Sequence, residues 1–162
     1  MAEMIWTADA ASRRFAIKGM VTSSRELAPM LAVAPERVTI TMDLGGLRAF
    51  TSSGVQGWLA FLHALRAKGC SLRFERCSPA VVKQTMAISD FLAGGAVSSL
   101  LAPYVCPSCD DEAEEELVVA SGQPPPVASW RRCACGSDME FDDLPQPYVE
   151  LLRAAAARGS GV

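Results

Sequence analysis

The 162-residue sequence predicts an α/β fold, in which helices cover a β-sheet, followed by a small cysteine-rich module. Three observations support this prediction. Segments with strand and helix periodicity alternate along the first hundred or so residues. Residues 1–105 hold 11 Lys and Arg against 7 Asp and Glu, whereas residues 106–162 hold 4 against 11. Four of the six cysteines also fall in the second part. We therefore predict two units, residues 1–105 and residues 106–162.

The overall composition excludes several classes of protein. Half of the residues are apolar and a fifth are charged, which favours a packed core over disorder. The net charge of -3 argues against a dedicated nucleic-acid binder. No apolar stretch reaches the roughly 18 residues of a membrane span, and the N-terminus lacks the features of a secretory signal. We therefore expect a cytoplasmic protein whose cysteines are thiols or metal ligands.

The first elements are a strand, a short helix and a second strand. Residues 14–19 alternate apolar and polar side chains, which is the periodicity of a strand. Residues 25–31, after a pair of serines, predict a short helix. Residues 37–43 are rich in β-branched side chains and predict a second strand. The Gly45-Gly46 pair that follows predicts a turn.

The next segment is the longest predicted helix, residues 53–68. Its apolar side chains recur at helical spacing, and Gly69 follows as a C-terminal stop. Trp58 lies on the apolar face and is expected in the core. Three more elements follow: a strand over residues 71–75, a helix over residues 78–89 and a strand over residues 96–105.

The segment from Val38 to Val55 resembles the central signature of the STAS domain, a family named for sulfate transporters and anti-sigma factor antagonists. In that signature an apolar strand ends in Asp, and a step of eight residues leads to Asp-Ser-Ser-Gly-Leu and an amphipathic helix. Here Asp43 lies eight residues before the run Thr51-Ser52-Ser53-Gly54-Val55. Two downstream segments resemble the next strand and helix of the family, so the resemblance covers residues 4–105.

The resemblance implies a mixed sheet covered by helices and a binding module rather than an enzyme. STAS proteins of the antagonist type are switched when a partner kinase phosphorylates a serine at the start of this helix, and Ser52 occupies the matching position. The implied partner is an anti-sigma factor kinase or a related signalling protein. Exposed amides and the macrodipole at a helix N-terminus favour a phosphate there. The implied contact surface comprises Asp43, Arg48, Thr51, Ser52, Ser53, Gly54 and Val55.

One position departs from the family pattern and leaves alternatives open. The residue before the serine is usually Asp, whereas here it is Thr51, which supplies no charge. One alternative is that Ser52 and Ser53 serve only as helix N-caps. Phosphorylation at Ser53 or Thr51, or a scaffold that binds without phosphorylation, are further alternatives. For Asp43, which lies shortly before Gly45-Gly46, the alternative is an ordinary structural role in a turn.

The second part of the chain carries a metal-binding pattern. Cys106-Pro-Ser-Cys109 and Cys133-Ala-Cys135-Gly136 are two close pairs separated by 23 residues. Four thiolates in two pairs are the ligand set of a tetrahedral zinc site. We expect the intervening segment to form a hairpin with strands at residues 116–120 and 126–131. The arrangement resembles a zinc ribbon, although a ribbon usually has C-x2-C as its second pair, and C-x-C has a tighter bite. A redox dithiol and a metal-free cluster are the alternatives.

A structural Zn²⁺ fits this pattern better than a catalytic or nucleic-acid-binding one. A catalytic zinc keeps an open position with His or carboxylate ligands, but the only histidine, His63, lies far upstream and is expected at the surface. Ten carboxylates around the cysteines would repel nucleic-acid phosphates. No phosphate-binding loop, nucleophile elbow or dinucleotide motif occurs, so no enzyme is expected. Cys70 and Cys77 are expected to be buried.

The chain is predicted to close with a helix over residues 147–158. Its apolar stripe comprises Tyr148, Leu151, Leu152 and Ala155. We expect this stripe to pack against the sheet or the cysteine module, and docking of a partner is the alternative.

Overall fold

The computed structural model describes residues 3–120 and 122–159. Its first sheet is mixed: β1 is antiparallel to β2, whereas β2, β3, β4 and β5 are mutually parallel neighbours. The strands lie in the sheet in chain order, namely β1 (Ile5–Ala8), β2 (Arg14–Val21), β3 (Thr39–Phe50), β4 (Ser71–Glu75) and β5 (Ala96–Val97). A mixed sheet with helical connections confirms the predicted α/β class, and β1 is a strand that the sequence did not predict.

The described residues form four helices, α1 (Ser24–Val33), α2 (Ser52–Ala67), α3 (Pro79–Ala87) and α4 (Pro145–Gly159). The first three connect successive parallel strands of the first sheet, as parallel pairing requires. Helices α1 and α2 pack on each other, and α3 packs on α4. All four predicted helices are confirmed, with ends that differ by a few residues.

A second, antiparallel sheet follows in the chain. Its strands are β6 (Ser99–Val105), β7 (Glu112–Val118), β8 (Trp130–Arg132) and β9 (Asp138–Phe141), in the order β7-β6-β9-β8. The predicted strand over residues 96–105 is divided between the two sheets. The division falls at Ser98, whose backbone N–H donates to Phe74 of β4 (2.8 Å) while its carbonyl accepts from Val119 (2.9 Å).

The turn predicted at Gly45-Gly46 is wrong, because β3 continues without interruption to Phe50. Residues of β3 bulge where they pair with β2, which places extra residues on the β3 side. A Cβ on Gly46 would lie 2.4 Å from Cγ of Lys18, and one on Gly45 would lie 2.9 Å from Cζ of Arg76. The two glycines therefore mark close contacts within a strand rather than a turn.

The hairpin predicted between residues 116–120 and 126–131 is also wrong. The strands that the structure forms there, β7 and β8, lie at opposite edges of the second sheet. Instead β7 pairs with β6, and β8 pairs with β9, a strand that the sequence did not predict. Antiparallel neighbours joined by short turns satisfy their backbone groups locally, which explains why two hairpins form instead of one.

One hydrophobic core runs through both sheets. Trp58 is fully buried in it and donates its indole N–H to the carbonyl of Phe91 (3.0 Å), which confirms its predicted core position. On the side of the second sheet, Tyr104, Phe141 and Tyr148 stack edge to face with centroid distances of 5.5 and 5.1 Å. This aromatic series ties β6 and β9 to α4, so the C-terminal helix packs against the fold as expected. Among the described residues, no helix combines the length and apolar character needed to cross a membrane.

Candidate metal centre

Four cysteines lie at the tips of the two hairpins of the second sheet. Cys106 and Cys109 belong to the connection between β6 and β7, and Cys133 and Cys135 belong to the connection between β8 and β9. The central strands β6 and β9 pair antiparallel through Tyr104–Phe141 and Val105–Glu140. This pairing places the two tips side by side at one end of the sheet.

The four sulfurs form a compact group. Their Sγ atoms all lie within 4.8 Å of one another, and two separations between the tips are 3.6 Å, from Cys106 to Cys135, and 3.7 Å, from Cys109 to Cys133. Four thiolates at about 2.3 Å from a tetrahedral Zn²⁺ would lie about 3.8 Å apart. The donor set and its spacing therefore fit one tetrahedral metal ion.

Backbone hydrogen bonds hold each tip in shape. In the first, the N–H of Cys106 donates to the carbonyl of Asp111, and the N–H of Asp110 donates to the carbonyl of Cys106, both at 2.9 Å. In the second, the backbone N–H of Cys133 donates to the carbonyl of Ser137 (2.8 Å). Gly136 there adopts a φ of +95°, a value that favours glycine. The tight turn at Gly136 lets both sulfurs of the C-x-C pair reach the first tip.

Hydrogen bonding shifts the pKa values of Cys109 and Cys135 in opposite directions. The backbone N–H of Ser137, and then its hydroxyl, stabilise the thiolate of Cys135 and lower its pKa to about 6. The backbone of Asp111 lowers the pKa of Cys109, but hydrogen bonds shared with Cys106 and Cys133 outweigh it and raise that pKa to about 12. Ser137 is a supporting residue that the cysteine pattern does not predict, although it lies only two residues after Cys135. Since the metal-binding form is the thiolate, cation binding would release protons from the remaining thiols.

The start of α2 holds the residues that the STAS resemblance singled out. The N-cap is Thr51: its hydroxyl accepts from the N–H of Gly54 (3.0 Å) and donates to the carbonyl of Thr22 (3.1 Å). The alternative in which Ser52 and Ser53 are N-caps is therefore wrong. Both serines lie in the first turn, exposed, and within the described residues neither hydroxyl makes a hydrogen bond.

Gly54 and Val55 face inward to different degrees. Gly54 is buried, and a Cβ there would lie 1.9 Å from the carbonyl oxygen of Val21. A Cβ on Gly57, one turn later, would lie 2.6 Å from the backbone nitrogen of Ser24. The two glycines let α2 lie directly against the end of β2, so Gly54 positions the helix while half-buried Val55 is only partly accessible.

Arg48 lies on β3 near this helix start and is exposed. Its guanidinium pairs with Glu114 of β7 at 2.9 Å, across the two sheets. Arg48 therefore connects the α2 end of the first sheet with the acidic edge of the second.

The structure does not bring Asp43 to the start of α2. Asp43 pairs with Ala16, and Phe50 pairs with Val21, five residues further along β2, which corresponds to about 17 Å. The Asp43 carboxylate accepts from the N–H of Gly45 (3.0 Å) and pairs with Arg76 (3.1 Å). Nothing in the local sequence indicates Arg76 as its partner, because the two lie 33 residues apart.

The remaining candidate residues lie away from both sites. His63 is exposed, 3.3 Å from a carboxylate oxygen of Asp90, as expected for a surface residue. Cys70 and Cys77 are buried, also as expected. Burial raises the pKa of the Cys77 thiol to about 12.

Comparison of the chain with family models, with curated proteins and with solved structures found no match.

Proposed function

We propose that this chain is a non-enzymatic STAS-like signalling module that binds a protein partner through the start of α2 and carries a structural Zn²⁺ in a zinc-ribbon-like hairpin pair. The partner would be an anti-sigma factor kinase or a related signalling protein. Support comes from the STAS-like signature between Asp43 and Val55 and from the mixed sheet with helical crossovers that contains it.

The observation that carries the proposal is the position of Ser52. Its hydroxyl is exposed in the first turn of α2, and capping of that turn is already provided by Thr51. A kinase can therefore reach the hydroxyl without removing a hydrogen bond that stabilises the helix. A phosphate there gains from the macrodipole and adds about 1.5 to 2 negative charges to the contact surface. That change of charge is the proposed switch that releases the partner.

Arg48 supplies a second contact in this proposal. Its side chain is 60% exposed although it pairs with Glu114, so it can also meet a carboxylate of the partner. The proposed contact surface is thus Arg48 together with Thr51, Ser52, Ser53 and the accessible part of Val55. Asp43 instead stabilises the sheet through Arg76.

The test of the switch is phosphosite mapping by mass spectrometry of protein recovered from its own cells. We expect one phosphate on Ser52, absent from a Ser52→Ala variant and unchanged in a matched Ser53→Ala variant. Phosphate on Ser53 in the Ser52→Ala chain would instead place the switch one residue later. A chain without phosphate under every growth condition would contradict the switch.

A scaffold that binds its partner without phosphorylation is the second candidate function. The observation that favours it is Thr51, which stands where the family usually has Asp and directs its hydroxyl inward to Thr22. The two candidates differ in one measurement. A Ser52→Asp variant should bind a purified partner at least tenfold more weakly if the switch operates, and with unchanged affinity if the protein is a scaffold.

The Zn²⁺ proposal follows from the four-sulfur group. Each tip has one buried cysteine, Cys106 or Cys133, and one exposed cysteine, Cys109 or Cys135. A metal ion that bridges both tips would hold the two hairpins together, and its binding free energy would contribute to folding.

Elemental analysis of the purified full chain tests this proposal. We expect one equivalent of zinc in the wild type, well under half an equivalent in Cys109→Ser and in Cys133→Ser, and one equivalent in the matched control Cys70→Ser. Substitution with Co²⁺ should produce the intense thiolate-to-metal absorption of a tetrahedral sulfur site. A wild-type protein with well under one equivalent of any transition metal would refute the proposal.

A further inference from the structure

A cavity separate from the metal centre and from the start of α2 lies between α3 and α4. It has a volume of about 240 Å³, and its walls include Phe91, Leu151 and Ala155. This volume is just below the range of roughly 300–1,000 Å³ typical of ligand pockets, so a small ligand is the appropriate size. None of the four clustered cysteines and none of residues 51–55 lines it.

The two ends of this cavity carry opposite charges. Glu150 and Arg158 both line it from α4, and their eight-residue separation corresponds to about 12 Å along the helix. Glu150 accepts a hydrogen bond from Gln146 (2.9 Å) on its own helix. Arg158 is held by its hydrogen bond to the carbonyl of Gly95 (3.1 Å). The cavity therefore has an apolar middle and a fixed cation at one end.

Positive charge accumulates at the Arg158 end. A second cavity of about 250 Å³ adjoins the first, shares Arg158 with it and is also lined by Arg73. Arg66 approaches Gly94, which lines the first cavity: its Nη1 lies 4.0 Å from the position that a Cβ on Gly94 would occupy. In the part of the chain that the structure describes, none of these three arginines has a carboxylate oxygen within 4.0 Å.

From this arrangement we infer that the cavity between α3 and α4 binds a small amphipathic anion, a carboxylate or phosphate monoester with an apolar tail. The anionic group pairs with Arg158, which lines both cavities, and extends towards Arg73 in the wall of the adjoining one, because charge-assisted hydrogen bonds to arginine are strongest with planar or tetrahedral oxyanions. The tail lies along Phe91 and Leu151, where its burial provides the apolar part of the affinity. Glu150 at the far end disfavours the reverse orientation. This site is independent of the proposed partner-binding function.

Isothermal titration calorimetry of the full chain with four eight-carbon probes tests the inference. Octanoate and octyl phosphate carry the two possible anionic groups, 1-octanol is neutral and octylamine is cationic. We expect saturable one-to-one binding of at least one anionic probe, and binding at least tenfold weaker for octanol and octylamine. The stronger of the two anions identifies the headgroup.

Variants separate the roles of charge and cavity. Arg158→Gln and Arg73→Gln should each weaken the anionic probe at least tenfold when thermal unfolding shows that they remain folded, whereas Arg153→Gln on the exposed side of α4 should not. Ala154→Trp, which places a large side chain at the cavity wall, should abolish binding of all probes. The inference is overturned if no anionic probe binds the folded wild type, if octylamine binds as tightly, or if both arginine variants bind unchanged.

Discussion

Replacement of Thr51 by three different residues would separate the two hydrogen bonds made by its hydroxyl. One bond caps α2 by accepting from Gly54, and the other reaches across to the carbonyl of Thr22 in the connection between β2 and α1. Ala removes both bonds, Ser keeps both, and Asp keeps only the capping bond because a carboxylate cannot donate. The series therefore asks whether Thr is required here, where the STAS-like pattern usually has Asp.

The magnitudes follow from ordinary values for each bond. An N-cap side chain contributes about 1 kcal/mol, and a hydrogen bond between a hydroxyl and a backbone carbonyl contributes about 1 kcal/mol. Thr51→Ala should therefore lower the free energy of unfolding by about 2 kcal/mol. Thr51→Ser loses only one half-buried methyl group, or about 0.5 kcal/mol. Thr51→Asp should lie between them, at about 1 kcal/mol, because its carboxylate faces the carbonyl oxygen of Thr22.

Urea unfolding followed by tryptophan fluorescence measures these differences, since Trp58 is fully buried in the core that α2 covers. The dependence of the free energy on urea should stay unchanged across the series, so that shifts of midpoint report stability alone. Equal destabilisation by Ser and Ala would refute the argument from the hydroxyl. An Asp variant as stable as the wild type would show that the bond to Thr22 contributes nothing.

Three further predictions concern other parts of the fold. Gly54→Ala should destabilise the protein by more than about 2 kcal/mol in the same urea assay, because the new Cβ would lie 1.9 Å from the carbonyl oxygen of Val21. The matched control Gln56→Ala, at an exposed position of the same helix, should be nearly neutral. Burial acts to raise the pKa of Glu26, but the hydrogen bonds that its carboxylate accepts at the start of α1 hold that pKa below 4.5. The contribution of Glu26 to the free energy of unfolding is present above pH 4.5 and is lost as the pH falls through the pKa of the folded state. Glu26→Gln should therefore flatten the acid side of the curve of stability against pH. The Cys77 thiol, fully buried and with a pKa raised to about 12, should resist iodoacetamide at pH 8 in the folded protein, and peptide mapping that finds it alkylated without unfolding would contradict its burial.

The types of most elements follow from patterns that neighbouring residues create. The alternation in residues 71–75 predicts β4 with its observed bounds, and the apolar spacing of residues 53–68 predicts α2 to within one residue at each end. The four metal-binding candidates are likewise evident from their spacing alone, because two close cysteine pairs are uncommon without a shared ligand. Such signals depend on neighbouring residues alone, so they do not change with the packing of the rest of the chain.

The partners of these elements depend on contacts between residues distant in the chain. Residues 96–105 are predicted as one strand, yet they belong to two sheets, because the backbone of Ser98 bonds to β4 on one side and to Val119 on the other. The Gly45-Gly46 pair carries the usual signal of a turn, but it lies within β3 where Lys18 and Arg76 come close.

The same division holds for the sites. The spacing of the cysteines identifies them as a group, and the resemblance to the STAS signature points to the serines. Only the folded chain decides that Thr51 rather than Ser52 caps α2, that Asp43 pairs with Arg76, and that Arg158 of α4 and Arg73 of β4 line the same cavity. Hydrogen bonds and charge clusters of this kind require atoms within a few ångströms, and residues separated by tens of positions reach that distance only through the packing of the whole core.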